Sequence, residues 1–240
     1  MYPQISKISL IKDGYLSPNL KFIWSHIPVK VVIRYFCRKQ EHPMIKNREL
    51  LVDPRARGLI FDIDGTISDT MPIHFKAYQQ TAAEYGFEIT AEVYFKLSGI
   101  PAYQTSAILK DKFQKDFDPQ EFADRKELNF LSNIHLADPI LPVVKIIKEY
   151  SGKLPMACGT GGTRFYALKT LELAGVRDHF EHVVTAEDVV NHKPHPDTFL
   201  KAAELIGVAP EYCQVFEDSK LGLQAAKAAG MMATDVTPFY

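Results

Sequence analysis

The sequence predicts an α/β fold, a Rossmann-like parallel sheet core with an inserted helical cap, and three observations lead there. Short apolar runs rich in β-branched residues recur at residues 58–63, 154–158, 182–185 and 213–216, as expected of strands buried on both faces. Helical patterns at residues 163–174, 197–206 and 221–229 separate the later runs, and each is followed at once by a glycine (Gly175, Gly207, Gly230), the residue that most readily takes a left-handed cap. Residues 71–138, by contrast, hold no convincing strand but four successive helical patterns, at 73–85, 91–97, 103–112 and 120–133. Strands alternating with helices of this length form βαβ units and hence a parallel sheet. A strand-free stretch placed directly after the first strand then reads as an insertion that covers a ligand at the carboxyl ends of the strands.

The expected division is residues 54–70 and 139–240 for the α/β core, 71–138 for the helical cap, and 1–53 for a basic N-terminal extension outside the core fold. Residues 1–43 carry seven Lys/Arg against two Asp/Glu, which leaves the rest of the 240-residue chain negative. That extension has no helical or strand periodicity; a transit peptide and a short basic tail are both compatible with it, and Met44 is the expected start of the folded protein. An acidic main body does not suit nucleic acid.

Hydrophobic residues at 46% and charged residues at 24% fit an ordinary soluble globular protein. Three cysteines, Cys37, Cys158 and Cys213, without C-x-x-C spacing indicate neither a disulfide framework nor a zinc site, and so a reducing, cytoplasmic setting. No apolar run reaches the length a membrane-spanning helix needs. Neither a nucleic-acid nor a membrane partner is expected, and the chain is expected to act as a monomer.

The chemistry concentrates at Phe61-Asp62-Ile63-Asp64-Gly65-Thr66, at the end of the first strand. Residues two apart in an extended chain share a face, so Asp62 and Asp64 meet while Ile63 turns away. Two carboxylates that close repel, and a hard, oxygen-seeking cation such as Mg²⁺ compensates them while also screening a phosphate from an anionic nucleophile. The alternative is a solvated turn that happens to contain Asp-Gly.

Three further segments supply complementary groups. Thr160, in Cys158-Gly159-Thr160-Gly161-Gly162 before a helix, can hold phosphate oxygens through its hydroxyl and the neighbouring backbone N–H of Gly161, or can serve only as a helix cap. Lys193, in His192-Lys193-Pro194-His195-Pro196, offers a compact positive charge, though a lone surface lysine is the common outcome. Glu217 and Asp218 follow an apolar run at a strand end, where an acid can also cap the next helix.

Taken in order, these four segments resemble the four motifs of the haloacid dehalogenase (HAD) superfamily, over about residues 57 to 235. The likeness is greatest to the β-phosphoglucomutases and the sugar-phosphate phosphatases, fructose-1-phosphatase-like members among them. The resemblance implies an Mg²⁺-dependent phosphohydrolase that acts on a small phosphorylated molecule. Asp62 is then the nucleophile that forms an aspartyl phosphate; Asp64 donates a proton to the leaving alcohol and afterwards activates water. Thr160 and Lys193 stabilise the phosphoryl group. The metal falls to Asp62, the backbone carbonyl of Asp64, and Asp218, with Glu217 as a ligand or just behind one.

His74, ten residues past Asp64, stands where the subfamily often has a histidine at the hinge, oriented towards Asp64 or satisfied within the first cap helix. Arg164 reaches substrate or is a solvated residue at a helix start. His192, His195 and the cap aromatics Phe95, Tyr103, Phe113 and Phe130 read as scaffold.

Within the subfamily the mutases grip a second phosphate with a cap-loop arginine. The matching loop here, residues 97–105, is neutral, and no Lys or Arg occurs between Lys96 and Lys110. Unpaired dianions are costly to desolvate, so hydrolysis of a monophosphate is expected over a phosphomutase reaction. A non-catalytic binding member of the fold is the other alternative, and retention of the whole charge set speaks against it.

Overall fold

The computed structural model describes residues 49–240. The readings of residues 1–43, of Met44 as a start and of Cys37 lie outside the described residues.

Five parallel strands form one sheet in the order β3-β2-β1-β4-β5. They are β1 (Gly58–Phe61), β2 (Met156–Gly159), β3 (His182–Val184), β4 (Cys213–Glu217) and β5 (Met232–Asp235). Eight α-helices accompany them among the described residues: α1 (Met71–Glu84), α2 (Ala91–Lys96), α3 (Ala102–Phe113), α4 (Pro119–Leu131), α5 (Leu141–Tyr150), α6 (Arg164–Leu173), α7 (Asp197–Leu205) and α8 (Lys220–Ala228). The glycines after α6, α7 and α8 all take positive φ, as their positions predict.

The two-residue alternation of a strand distributes β1 between two cores. Leu59 and Phe61 join Val143, Ile147, Phe180 and Phe216 on the face covered by α5 and α6, while Ile60 joins Phe199, Ala202, Val215 and Ala225 on the face covered by α7 and α8. Phe61 stacks on Phe216 across the β1–β4 pair, with ring centroids 4.9 Å apart. Each fully buried side chain of this size contributes roughly 1.5–3 kcal/mol relative to exposure.

The structure departs from the expected elements in three places. Strand β5 had no apolar run to announce it, because it lies at the sheet edge with all four residues only partly buried. Helix α5 carries the amphipathic set Val143, Val144, Ile146 and Ile147 behind Pro142, a signal that the sequence reading did not take up. Residues 50–53, expected with the extension, pack on the sheet instead. Leu50 is buried in the core, the Asp53 N–H donates to Gln214 Oε1 (2.7 Å), and Gln214 Nε2 donates to the Leu51 carbonyl (3.2 Å).

Helices α1 to α4 follow one another after β1 and pack together. Ile73 and Ala77 of α1 meet Phe130 of α4 and Ile134, and the ends of this helical group are tied side by side where the chain leaves and re-enters the sheet layer. There the Asp69 N–H donates to the Asp138 carbonyl (2.8 Å) and the Ile140 N–H to the Ile67 carbonyl (2.8 Å). Among the described residues, no helix is long and apolar enough to cross a membrane.

Candidate active site

Strand register assembles the floor of the site. Because Phe61 pairs with Phe216 in neighbouring parallel strands, the next residue on each, Asp62 and Glu217, stand side by side at the carboxyl edge, and the Asp62 N–H donates to the Phe216 carbonyl (3.0 Å). Strand β2, on the other side of β1, ends at Gly159 and delivers Thr160, whose Oγ1 accepts the Gly162 N–H (3.0 Å). The tight turn after Asp62 returns Thr66, Ile67 and Ser68 to the Ile63 carbonyl, so Ile63 enters the core while Asp64 faces the opening. Gly65 makes that turn with φ +84°, and a Cβ there would overlap the Asp218 carboxylate.

One cleft is lined by Asp62, Asp64, His74, Thr160, Gly161, Glu217 and Asp218. Lys193 lies beneath it, buried, donating from Nζ to Asp62 Oδ1 (2.7 Å) and to Glu217 Oε2 (2.7 Å). Glu217 Oε1 accepts the N–H groups of Asp218 (3.0 Å) and Ser219 (2.9 Å), so both its oxygens are engaged within the chain. Arg164 does not join this group. Its guanidinium is held by Asp188 (2.7 and 2.5 Å) and the Val183 carbonyl (3.3 Å), because the start of α6 faces the loop after β3.

The charges are unbalanced. Carboxylate oxygens of Asp62, Glu217 and Asp218 lie within 4.8 Å of one another, and among the described residues Lys193 is the ammonium bonded to them. Burial, then repulsion from Glu217, lifts the Asp62 pKa to about 7 in spite of Lys193. Burial with Glu217 and Asp62 beside it drives Asp218 well above the usual carboxylate range. Burial works against the Lys193 charge, yet Asp62 and Glu217 outweigh it and raise the pKa. A cluster of hard oxygen donors short of positive charge fits Mg²⁺.

The sign of the Asp62 shift fixes a stability trend. The native state keeps a proton that the unfolded chain releases near 3.8, so metal-free protein loses stability as pH rises from there to about 7. In chelator, the melting temperature is expected to fall from about pH 5 to about pH 8, and added Mg²⁺ to restore more of it at the higher pH. A flat profile in both conditions contradicts the charge imbalance.

Above the floor, Asp64 is held from the helical side. Burial alone would raise its pKa, but His74 and Thr70, with Lys126 nearby, bring it down to about 2. Thr70 Oγ1 donates to Asp64 Oδ1 (2.7 Å), and His74 Nε2 lies 3.2 Å from the same oxygen. His74 Nδ1 lies 2.9 Å from Lys126 Nζ, an ammonium that can only donate, which leaves Nε2 as the protonated nitrogen facing Asp64. The imidazole is stacked on Phe130, with centroids 3.8 Å apart, so this aromatic is packing with a positioning consequence.

The loop between α2 and α3 closes on the sheet edge. The Gly99 carbonyl lies 2.8 Å from where a Cβ on Gly161 would sit, and a Cβ on Gly99 (φ +89°) would come within 3.1 Å of Ser219 Oγ.

Sequence reasoning missed Lys126, Glu127, Thr70 and Gly222. Lys126 and Glu127 lie within the helical pattern at 120–133 with nothing local to single them out, and only the packing of α4 over the cleft buries Lys126. Gly222, an isolated glycine inside a helical pattern, was a usable signal: a Cβ there would overlap the Glu217 side chain.

Residues 59–236 match the family model of haloacid dehalogenase-like hydrolases, and the chain belongs to that family. It is 42% identical over 182 residues to the fructose-1-phosphate phosphatase YqaB of Escherichia coli, covering 76% of this chain and 97% of that protein. It is 30% identical over 178 residues to a phosphorylated carbohydrates phosphatase of Thermotoga maritima, covering 72% of this chain and 82% of the other. A crystal structure of β-phosphoglucomutase from Clostridium difficile superposes with a TM-score of 0.68 at 24% identity, covering 75% and 84% of the two chains. Within the family this chain is an enzyme of the phosphoric monoester hydrolase class.

Proposed function

We propose that the chain hydrolyses a small sugar phosphate, fructose-1-phosphate-like, in an Mg²⁺-dependent reaction through an aspartyl phosphate on Asp62. The observation that carries this reading is the buried Lys193 bridging Asp62 and Glu217 at 2.7 Å each, with Asp62, Glu217, Asp218 and Thr160 lining one cleft. The E. coli relative named as a fructose-1-phosphate phosphatase supports the substrate class. Asp62, the Asp64 carbonyl and Asp218 would hold the metal, with Glu217 behind them because its oxygens are already bonded. When bound, Mg²⁺ supplies charge neutralisation between the phosphate and the carboxylates.

Asp62 then attacks phosphorus in line, and the alkoxide leaves with a proton from Asp64. Its low pKa in the substrate-free site is no obstacle, since a phosphate dianion arriving beside it adds a like charge and favours the protonated form. His74, fixed by Lys126 and Phe130, and Thr70 aim Asp64 at the leaving oxygen and then at the attacking water. Lys193 and Thr160 steady the transferred group. Residues 71–138 serve as the cap and 54–70 with 139–240 as the core, working as a monomer in the cytoplasm.

The cleft argues against a second phosphate subsite. The cap loop is neutral, and among the described residues the one lysine or arginine of the cap that lines the cleft, Lys126, is committed to His74 and Glu127. A screen of hexose and pentose phosphates is expected to show phosphate release with Mg²⁺ and none in chelator. Conversion of glucose 1-phosphate to glucose 6-phosphate without phosphate release would favour the mutase reaction instead, and inertness towards every ester would favour a binding role.

A further inference from the structure

Next to Lys126, on the cap side of the cleft, lies Glu127, whose carboxylate the chain satisfies only by half. Its Oε1 accepts from Lys126 Nζ (2.9 Å), while Oε2 is buried and has no hydrogen-bond partner among the described residues. An ionised carboxylate oxygen shut away from water without a donor costs free energy, and such groups are rare in folded proteins. Glu127 lines the same cleft as Asp62 and Thr160, in company with Tyr78, Tyr94, Ser98 and Thr105. A donor carried in by the substrate would complete it.

We infer that Glu127 is a specificity-determining residue, whose free carboxylate oxygen receives a hydroxyl of the leaving group and so selects phosphate esters of uncharged polyhydroxy compounds. This deepens the proposed hydrolysis and rests on it.

The chemistry of the oxygen sets the selection. A carboxylate only accepts, so it is satisfied by a hydroxyl and clashes with another acceptor. A leaving group bearing its own carboxylate, as in phosphoglycolate or phosphoglycerate, brings two acceptor-only groups together and is disfavoured. Lys126 does not rescue such a substrate, because its ammonium is already directed to Glu127 Oε1 and His74 Nδ1 and packed over the rings of Tyr78 and Phe130. The same ammonium offsets the charge of Glu127, so the free oxygen reads a neutral hydroxyl in preference to an amine. A site that hydrogen-bonds a substrate hydroxyl discriminates strongly, because the analogue without it leaves a buried group unpaired.

The test compares kcat/KM for a panel of sugar phosphates, their deoxy analogues, an amino-sugar phosphate, phosphoglycolate and 3-phosphoglycerate, in wild type and Glu127→Gln. Wild type is expected to favour the sugar phosphates over both acids and to lose about tenfold or more on one deoxy analogue, mainly in KM. Glu127→Gln is expected to shrink the sugar-to-acid ratio by about the same factor. If Glu127 served only to hold Lys126, the variant would lower kcat on all substrates alike and leave the ratio unchanged, which overturns the inference while the hydrolysis stands. A preference for the amino sugar over its hydroxyl counterpart also overturns it. Should the variant not fold, the wild-type deoxy series decides alone: equal kcat/KM across that series overturns the inference. Wild-type protein inert on every ester takes down the proposed function, and this inference with it.

Discussion

Asp62→Asn is expected to lower kcat for every phosphate ester by more than about 10⁴-fold, the scale on which removal of a covalent nucleophile acts. The substitution keeps the shape of the side chain and an oxygen for Lys193, and takes away the charge and the attacking electron pair. Stability should move the other way. Asp62 is buried against Glu217 with its pKa lifted to about 7, so a neutral side chain relieves repulsion. The metal-free variant near pH 8 is therefore expected to melt no lower than wild type, measured by calorimetry in chelator. Loss of activity joined to loss of folding would mean that Asp62 acts as a structural residue; a variant that still turns over would remove it from the nucleophile's role.

Lys193→Met is expected to have the largest effect on stability. Lys193 is the ammonium bonded to both Asp62 and Glu217, and its replacement leaves two buried carboxylates facing each other with Asp218 beside them. Removing one partner from a buried ion pair typically costs about 3–5 kcal/mol. The cost depends on pH in a defined direction. Raised carboxylate pKa values mean that protonation relieves the repulsion at low pH, so the deficit should be small near pH 5 and full near pH 8. Denaturant unfolding at the two pH values measures it, and a deficit independent of pH would indicate lost packing over Phe199 in place of lost charge compensation.

The parts of the molecule that were legible in advance are those governed by short sequence range. The strand residues of β1, β2, β3 and β4, the left-handed glycines after α6, α7 and α8, and the turn after Asp62 all follow from short apolar runs or local turn chemistry. Asp62, Asp64, Thr160, Lys193, Glu217 and Asp218 were recognisable as one set because their order along the chain resembles the four motifs of the family. For the residues at the ends of β1, β2 and β4 the convergence is then a consequence of register, since β1 lies between β2 and β4 and all three end at one edge, while Lys193 arrives from the segment between β3 and α7.

What stayed hidden depends on tertiary placement. Nothing local distinguishes Lys126 and Glu127 from the solvated charges Asp124 and Arg125 on the same helix; the docking of α4 against α1 buries Lys126, partly buries Glu127 and leaves the other two exposed. Arg164 misled for the same reason, because a helix start near Thr160 is close in sequence to the phosphate site, while its guanidinium is claimed by Asp188. Strand β5 was missed because an edge strand buries too little to show a hydrophobic run.

The covalent route through Asp62 is tested most directly by quenching the enzyme with acid during turnover of a sugar phosphate and mapping the peptide that contains residues 58–66 by mass spectrometry. A phosphoryl group on Asp62, present with Mg²⁺ and substrate and absent in Asp62→Asn, is the expected result. Rapid phosphate release with that peptide unmodified at every quench time would contradict it.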